Sequence, residues 1–146
     1  MFLSDNISIT SALDYASGTA ARNGGTLDLS GYDGVLAITT TATHAADAVG
    51  DFHWEGGDDD GLTDAADLLG TAIATDADSD DLIIVSDLYQ PACRYVRGVI
   101  TKNGANAQAE SMLYIRYRSK LGPITNEDSG EVTVEKHGPG TAAGTK

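Results

Sequence analysis

The sequence predicts an all-β fold: a single-domain antiparallel β-sandwich of jelly-roll-like form, with about eight strands and Greek-key connections. Three observations lead there. Glycine is frequent (17 of 146 residues) while aromatics make up only 6%; together with many Thr, Ser and Asp, this is the composition of short strands joined by tight turns. The apolar residues recur with a period of two in short β-branched segments. No helix-length amphipathic segment interrupts them. A chain of 146 residues, 41% of them hydrophobic, suits one domain with a real core.

Taken in order, "ISITSAL" (7–13) alternates well enough for a first strand. "GGTLDLSGYDG" (24–34) has a turn at each end and puts Leu27 and Leu29 on one face. "VLAITTTAT" (35–43) is β-branched throughout, and "DFHWEGG" (51–57) sets Phe52 and Trp54 on one face with His53 and Glu55 opposite. Next comes an expected short helical turn, capped by Thr63, packed through Leu68 and Leu69 and ended by Gly70. "DDLIIVSDL" (80–88), four apolar residues between aspartates, reads as a central buried strand.

Two further strands look the most regular. In "RYVRGVITK", Tyr95, Arg97, Val99 and Thr101 share one face, with Val96, Gly98 and Ile100 on the other. In "ESMLYIRYRS", Leu113, Ile115 and Tyr117 form one stripe, expected in the core, and Tyr114, Arg116 and Arg118 the other. Asn103-Gly104 between them favours a turn with positive φ, so the pair reads as a hairpin. The β domain therefore covers 1–120. Residues 121–146, small and aperiodic, read as a C-terminal extension that is flexible or ordered by a partner.

The single Cys93 rules out an intrachain disulfide and reads as a small buried side chain. "MFLSDNISIT" has neither a basic stretch nor an apolar run of useful length, so no leader is expected. No segment approaches the ~20 apolar residues of a membrane span.

Charge is distributed very unevenly. The net charge is −13, and thirteen of the 22 acidic residues lie between Asp47 and Asp87, where there is no Lys or Arg. Four of the five arginines fall between Arg94 and Arg118. Two readings follow: the basic strands pair with the acidic loops of their own molecule, or they meet another subunit, where such complementarity sets register and on-rate. The second makes Arg94, Arg97, Arg116, Arg118 and Tyr114 the candidate interface. A nucleic-acid partner is not expected, because so few bases beside an acidic segment do not offset phosphate repulsion.

The aspartate runs do not form EF-hands. With Gly61 at the glycine position, Gly56 falls where the first ligand belongs; the frame starting at Asp76 puts Asp81 where glycine is needed. An irregular Ca²⁺ site stays open beside solvated acidic loops. His44, His53 and His137 are far apart in sequence, so neither a zinc site nor any other cofactor is expected. No nucleophile elbow or Cys–His pattern points to catalysis. "GPGTAA" (138–143) matches a dinucleotide fingerprint by chance, lacking room for the helix and strand that the motif needs.

The aromatic segment "FHWEGGDDDGLTDAADLLG", the aspartate-flanked apolar strand and "LYQPACRYVRGVITKNGANAQAESMLYIRY", spanning about residues 50–120, resemble the capsid decoration (cement) proteins of tailed bacteriophages. The resemblance implies a non-enzymatic virion component on the capsid exterior. Its partners would be the major capsid protein and its own copies, a homotrimer being favoured over a dimer, with no nucleic acid or membrane. A head–tail joining or tail protein, or a small carbohydrate-binding sandwich module with a planar set of exposed aromatics, is the rival expectation.

Overall fold

The computed structural model describes residues 3–120 and residue 132. The expected 121–146 extension therefore lies, Val132 apart, outside the described residues. A 3-10 turn, Leu3–Asp5, precedes ten strands. They are β1 (Ile7–Gly18), β2 (Arg22–Asn23), β3 (Leu27–Asp28), β4 (Gly34–His44), β5 (Val49–Gly57), β6 (Ala66–Asp67), β7 (Ile73–Asp76), β8 (Ile83–Tyr89), β9 (Tyr95–Lys102) and β10 (Gln108–Tyr117). One sheet, here sheet A, runs β1-β10-β4-β8, and the other, sheet B, runs β2-β9-β5-β6, with β3 also on β9 and β7 also on β5. All pairings are antiparallel. Counting β2 with β3 and β6 with β7 as interrupted strands gives two four-stranded sheets in jelly-roll order, the predicted fold class.

The core is built where the inner faces meet. Sheet B contributes Phe52, Trp54, Val96 and Ile100, and sheet A contributes Val35, Ala37, Met112 and Tyr114, closed at one end by Leu27 and Leu29. Trp54 stacks on Tyr114 with centroids 5.6 Å apart, and Phe52 meets Trp54 edge-on at 5.5 Å. The polar tips are also satisfied. Trp54 Nε1 donates to Ser86 Oγ at 3.0 Å, and the Gly98 amide donates to the Tyr114 hydroxyl at 2.7 Å. Gly98 has to be glycine: a Cβ there would stand 2.8 Å from Phe52 and 2.9 Å from the Met112 sulfur.

The faces expected for Leu27/Leu29, Phe52/Trp54 and Val96/Gly98/Ile100 are those observed. Four other expectations need correcting. Strand β10 has the opposite register: Met112 and Tyr114 point inward, while Leu113 and Ile115 lie on the outer face of sheet A. Apolar residues occupy both stripes, and the inward stripe hides its polar members through partners distant in sequence. The second correction concerns β9 and β10, which are not hairpin partners. The loop between them turns at Gly104 (φ 78°) but carries the chain from sheet B to sheet A. It is tied to the β4–β5 loop, since Asn103 and Asn106 side-chain amides both donate to the Asp47 carbonyl.

Third, "DDLIIVSDL" is an edge strand. Ile83 and Val85 are 69% and 53% exposed, while Ile84, Ser86 and Leu88 turn inward, Ser86 towards Trp54 and Leu88 against the core. A run of apolar residues does not distinguish a strand covered on both faces from one with apolar residues on both. Last, the segment 62–70 makes turns and the short β6 in place of a helical turn. Leu68 packs on the core and its amide donates to the Trp54 carbonyl at 2.8 Å, whereas Leu69 is 98% exposed. The edge of β5 supplies backbone partners that an isolated turn lacks.

Burial pushes the Tyr114 hydroxyl up to about 12. The sign follows from this: the protonated form is favoured in the folded state, so its contribution is full below the ordinary tyrosine range near 10 and is lost as pH rises towards 12. Urea midpoints measured from pH 9 to 12 should fall across that window, and Tyr114→Phe should flatten the fall. An equally steep fall in the variant would assign the loss to other groups.

Candidate functional site

The predicted basic ribbon is spent inside the molecule. Arg94 holds Asp28 through Nε (3.0 Å) and Nη2 (2.7 Å) and lies over the Tyr95 ring. That hydrogen-bonded pair keeps the Asp28 carboxyl well below the usual carboxylate range. Arg97 grips Glu55 Oε2 through Nε at 2.7 Å and Nη2 at 2.6 Å. Arg116 donates to the Asp28 carbonyl (3.0 Å) and to Ser8 Oγ (2.9 Å), with its guanidinium over Tyr32. Arg118 faces Asp33 at 3.7 Å beside Lys120 at 2.9 Å, both side chains largely exposed. Tyr114 is fully buried. Of the five expected interface residues, then, Arg94, Arg97 and Arg116 are structural ties, Tyr114 belongs to the core, and Arg118 alone offers a mostly free cation. The carboxylate partners of these arginines are Asp28, Asp33 and Glu55 of the same chain, and of these only Glu55, on strand β5, belongs to the acidic 47–87 segment. The expected pairing with the acidic loops is not what holds them.

What the ribbon loses, the outer face of sheet A gains. The ladders align Ile9, Ile115, Leu36 and Asp87 in one row, Ser11, Leu113, Ile38 and Val85 in the next, and Ser111, Thr40 and Ile83 in a third. Their neighbours Val35, Ala37, Thr39, Met112 and Tyr114 fill the core, so period-two geometry turns the rows outward. The rows carry one charge, Asp87 at the β8 edge, whose carboxylate accepts the Tyr117 hydroxyl at 2.5 Å. A hollow of about 550 Å³ opens on this face between Ile9, Leu13, Ile38, Leu113 and Val132. The signal was present in the sequence as apolar residues on both stripes of 35–43 and 108–117.

A second cluster sits on the outer face of sheet B. His53 Nδ1 lies 2.6 Å from Asp51 Oδ1, while Nε2 faces Asp67 Oδ1 at 3.6 Å and Glu55 Oε1 at 4.0 Å. Asp51 is itself oriented by Thr101, whose hydroxyl donates to Oδ2 at 2.6 Å. Among the described residues, His53, Glu55 and Asp67 are the group able to place three metal-ligating atoms within 4.8 Å of one another. The histidine tally (His44, His53, His137) missed them because two of the ligands are carboxylates. The legible half was His53-x-Glu55, two residues apart on one face of a strand. Asp67 arrives through the β5–β6 ladder, where it stands opposite Glu55.

The aspartate loops are occupied in building themselves. Asp64 accepts the amides of Asp58 (2.8 Å) and Asp59 (3.2 Å), and Asp59 accepts both the amide and the hydroxyl of Thr63. Asp76 accepts Ser79 Oγ and the Asp78 amide, each at 3.0 Å, and Asp80 accepts the His44 amide at 2.6 Å. Asp59, Asp64 and Asp76 are turn-forming aspartates, while Asp80 ties its loop to the end of β4. Burial raises the Cys93 thiol, which packs against Gly56.

No family model matches the sequence, and neither does any curated protein. Among solved structures, a family two carbohydrate esterase from Cellvibrio japonicus is similar at 12% identity and a TM-score of 0.33. The match covers 82% of this chain but only 36% of the esterase. Among the described residues no helix is long and apolar enough to cross a membrane.

Proposed function

We propose that this chain is a non-enzymatic structural subunit of a tailed-phage virion. It is a decoration protein whose copies associate through the outer face of sheet A, and the oligomer clamps neighbouring capsid subunits from outside. The observation that carries the oligomer is the nearly uncharged apolar face ending in the exposed edge strand β8. Copies carrying a net charge of −13 repel one another over most of their surface, so two of them meet at lowest cost on that face. Edge strand β8 adds exposed Ile83 and Val85, together with a strand edge available for pairing. The capsid as partner rests on the sequence resemblance over about residues 50–120. A trimer is the favoured state on the same ground, and several weak contacts per oligomer suffice when it engages several capsid subunits at once.

A sugar-binding module has less support. Trp54 and Phe52 lie in the core, and the exposed Tyr15 and Tyr89 stand on β1 and β8, at opposite edges of sheet A.

Sedimentation velocity at micromolar concentration tests the oligomer. The wild type should sediment as a trimer, and Ile83→Asp/Val85→Asp should sediment as a monomer. Surface substitutions of this kind change stability by only about 0.5 kcal/mol each, so the melting midpoint should move little. A monomeric wild type, or a variant that sediments like it, would overturn the assignment of this face.

A further inference from the structure

We infer that His53, Glu55 and Asp67 form a binding site for a first-row divalent cation, zinc or manganese by chemical class, on the outer face of sheet B. The argument begins with the imidazole. Asp51 Oδ1 stands 2.6 Å from His53 Nδ1, so Nδ1 carries the hydrogen and donates it. In the neutral ring the lone pair is then on Nε2, and it points at carboxylate oxygens of Asp67 and Glu55, 3.6 Å and 4.0 Å away. With Nε2 unprotonated, three acceptors face one another, an arrangement that either a second proton on the ring or a divalent cation among them resolves, and the metal titration below separates the two. The spacing fits: ligands at about 2.0–2.2 Å from one ion, at angles of roughly 90–120°, stand ~3.0–3.6 Å apart. His53 Nε2 and Asp67 Oδ1, at 3.6 Å, already stand at the upper end of that range, and Nε2 and Glu55 Oε1, at 4.0 Å, stand slightly beyond it, so Glu55 as well as the more exposed Asp67 has to close in slightly on the ion.

The supporting contacts are also those of a metal site. Ligating histidines commonly give their second ring N–H to a carboxylate, which fixes the tautomer and raises ligand basicity. Asp51 does so here and is held in turn by Thr101. Arg97 occupies Glu55 Oε2 and leaves Oε1 directed at His53. His53 is largely buried, so its ring is already in place. One imidazole with two carboxylates suits zinc or manganese better than calcium, which prefers an all-oxygen shell. Three protein ligands leave a coordination position for water, facing a hollow of about 310 Å³ lined by Leu68, Leu69, Gly70 and Ala72. The ion would tie β5 to β6, a two-residue strand, and so fix the 58–70 segment against sheet B.

Calorimetric titration of the chelator-treated full chain with Zn²⁺, Mn²⁺, Ca²⁺ and Mg²⁺ tests the site, with His53→Gln, Asp67→Asn and Asp51→Asn as variants. Saturable one-to-one binding of Zn²⁺ or Mn²⁺, much tighter than that of Ca²⁺ or Mg²⁺, is expected. His53→Gln should abolish it, Asp67→Asn should weaken it at least tenfold, and Asp51→Asn should weaken it by about 10–100-fold. At about 100-fold excess over Kd the metal should raise the melting midpoint by roughly 5–9 °C. Asp67→Asn, at an exposed position, should melt like the metal-free wild type and lose that rise. Absence of saturable binding in the wild type, binding by His53→Gln or Asp67→Asn equal to the wild type, or tighter binding of Ca²⁺ than of Zn²⁺ and Mn²⁺ would overturn the assignment.

Discussion

Lys102→Met should cost about 3–5 kcal/mol of unfolding free energy, because it leaves a buried carboxylate short of its ammonium. Lys102 and Glu110 side chains are 0% and 2% exposed. The ammonium uses all three of its donors, to the Gly18 carbonyl (3.1 Å), the Gln108 carbonyl (3.0 Å) and Glu110 Oε1 (2.9 Å). Arg22 reaches the same carboxylate oxygen at 2.9 Å and also donates to the Glu110 and Asp14 carbonyls. Since Lys102 and Arg22 belong to sheet B and Glu110 to sheet A, this network clamps the two sheets at one end of the sandwich. The double variant Lys102→Met/Glu110→Met should be less destabilised than Lys102→Met alone, since it removes the charge that the single variant strands. Urea unfolding followed by far-UV circular dichroism gives both values. A single variant within about 1 kcal/mol of wild type would mean that water or Arg22 replaces the ammonium at little cost.

Trp54→Ala should cost a comparable ~3–5 kcal/mol, the range for a buried aromatic truncated in a core that collapses only partly. Trp54 is fully buried, stacks on Tyr114, meets Phe52 edge-on and joins the sheets through Ser86. Its backbone also anchors the segment after β6: the amide donates to Thr71 Oγ1, and the carbonyl accepts the Leu68 amide. Against a typical total of about 5–15 kcal/mol, the variant should stand near the limit of folding at 37 °C. Circular dichroism is the readout, because the chain has one tryptophan and the variant loses its fluorescence. Trp54→Phe, which keeps a ring against Tyr114, should lose clearly less. Equal losses would mean that the stack contributes little.

The sequence announced strands best where one stripe was apolar and the other was not. Phe52 and Trp54 against His53 and Glu55 is such a case, and their faces follow from period two alone. Strand β10 is the opposite case. Its inward stripe contains Gln108, Glu110 and Arg116, acceptable there because Lys102, Arg22, Ser8 and the Asp28 carbonyl come to meet them. Those partners lie up to 108 residues away in sequence, and alternation carries no information about them. Likewise, a cluster of arginines in sequence says nothing about whether their carboxylates come from the same chain. Asp28 and Glu55 do. The metal-ligand cluster was half legible, as His53-x-Glu55; its third member depends on a two-residue ladder that no local signal marks.

The central claim is that this protein sits on a phage head and holds it together. The most direct measurement is quantitative mass spectrometry of purified virions from a phage encoding this chain, paired with thermal release of DNA from heads with and without it. The account predicts many copies per virion, removal of most of them by Ile83→Asp/Val85→Asp, and rupture of the depleted heads at lower temperature. Virions that contain none of the protein, or depleted heads as heat-resistant as complete ones, would contradict it.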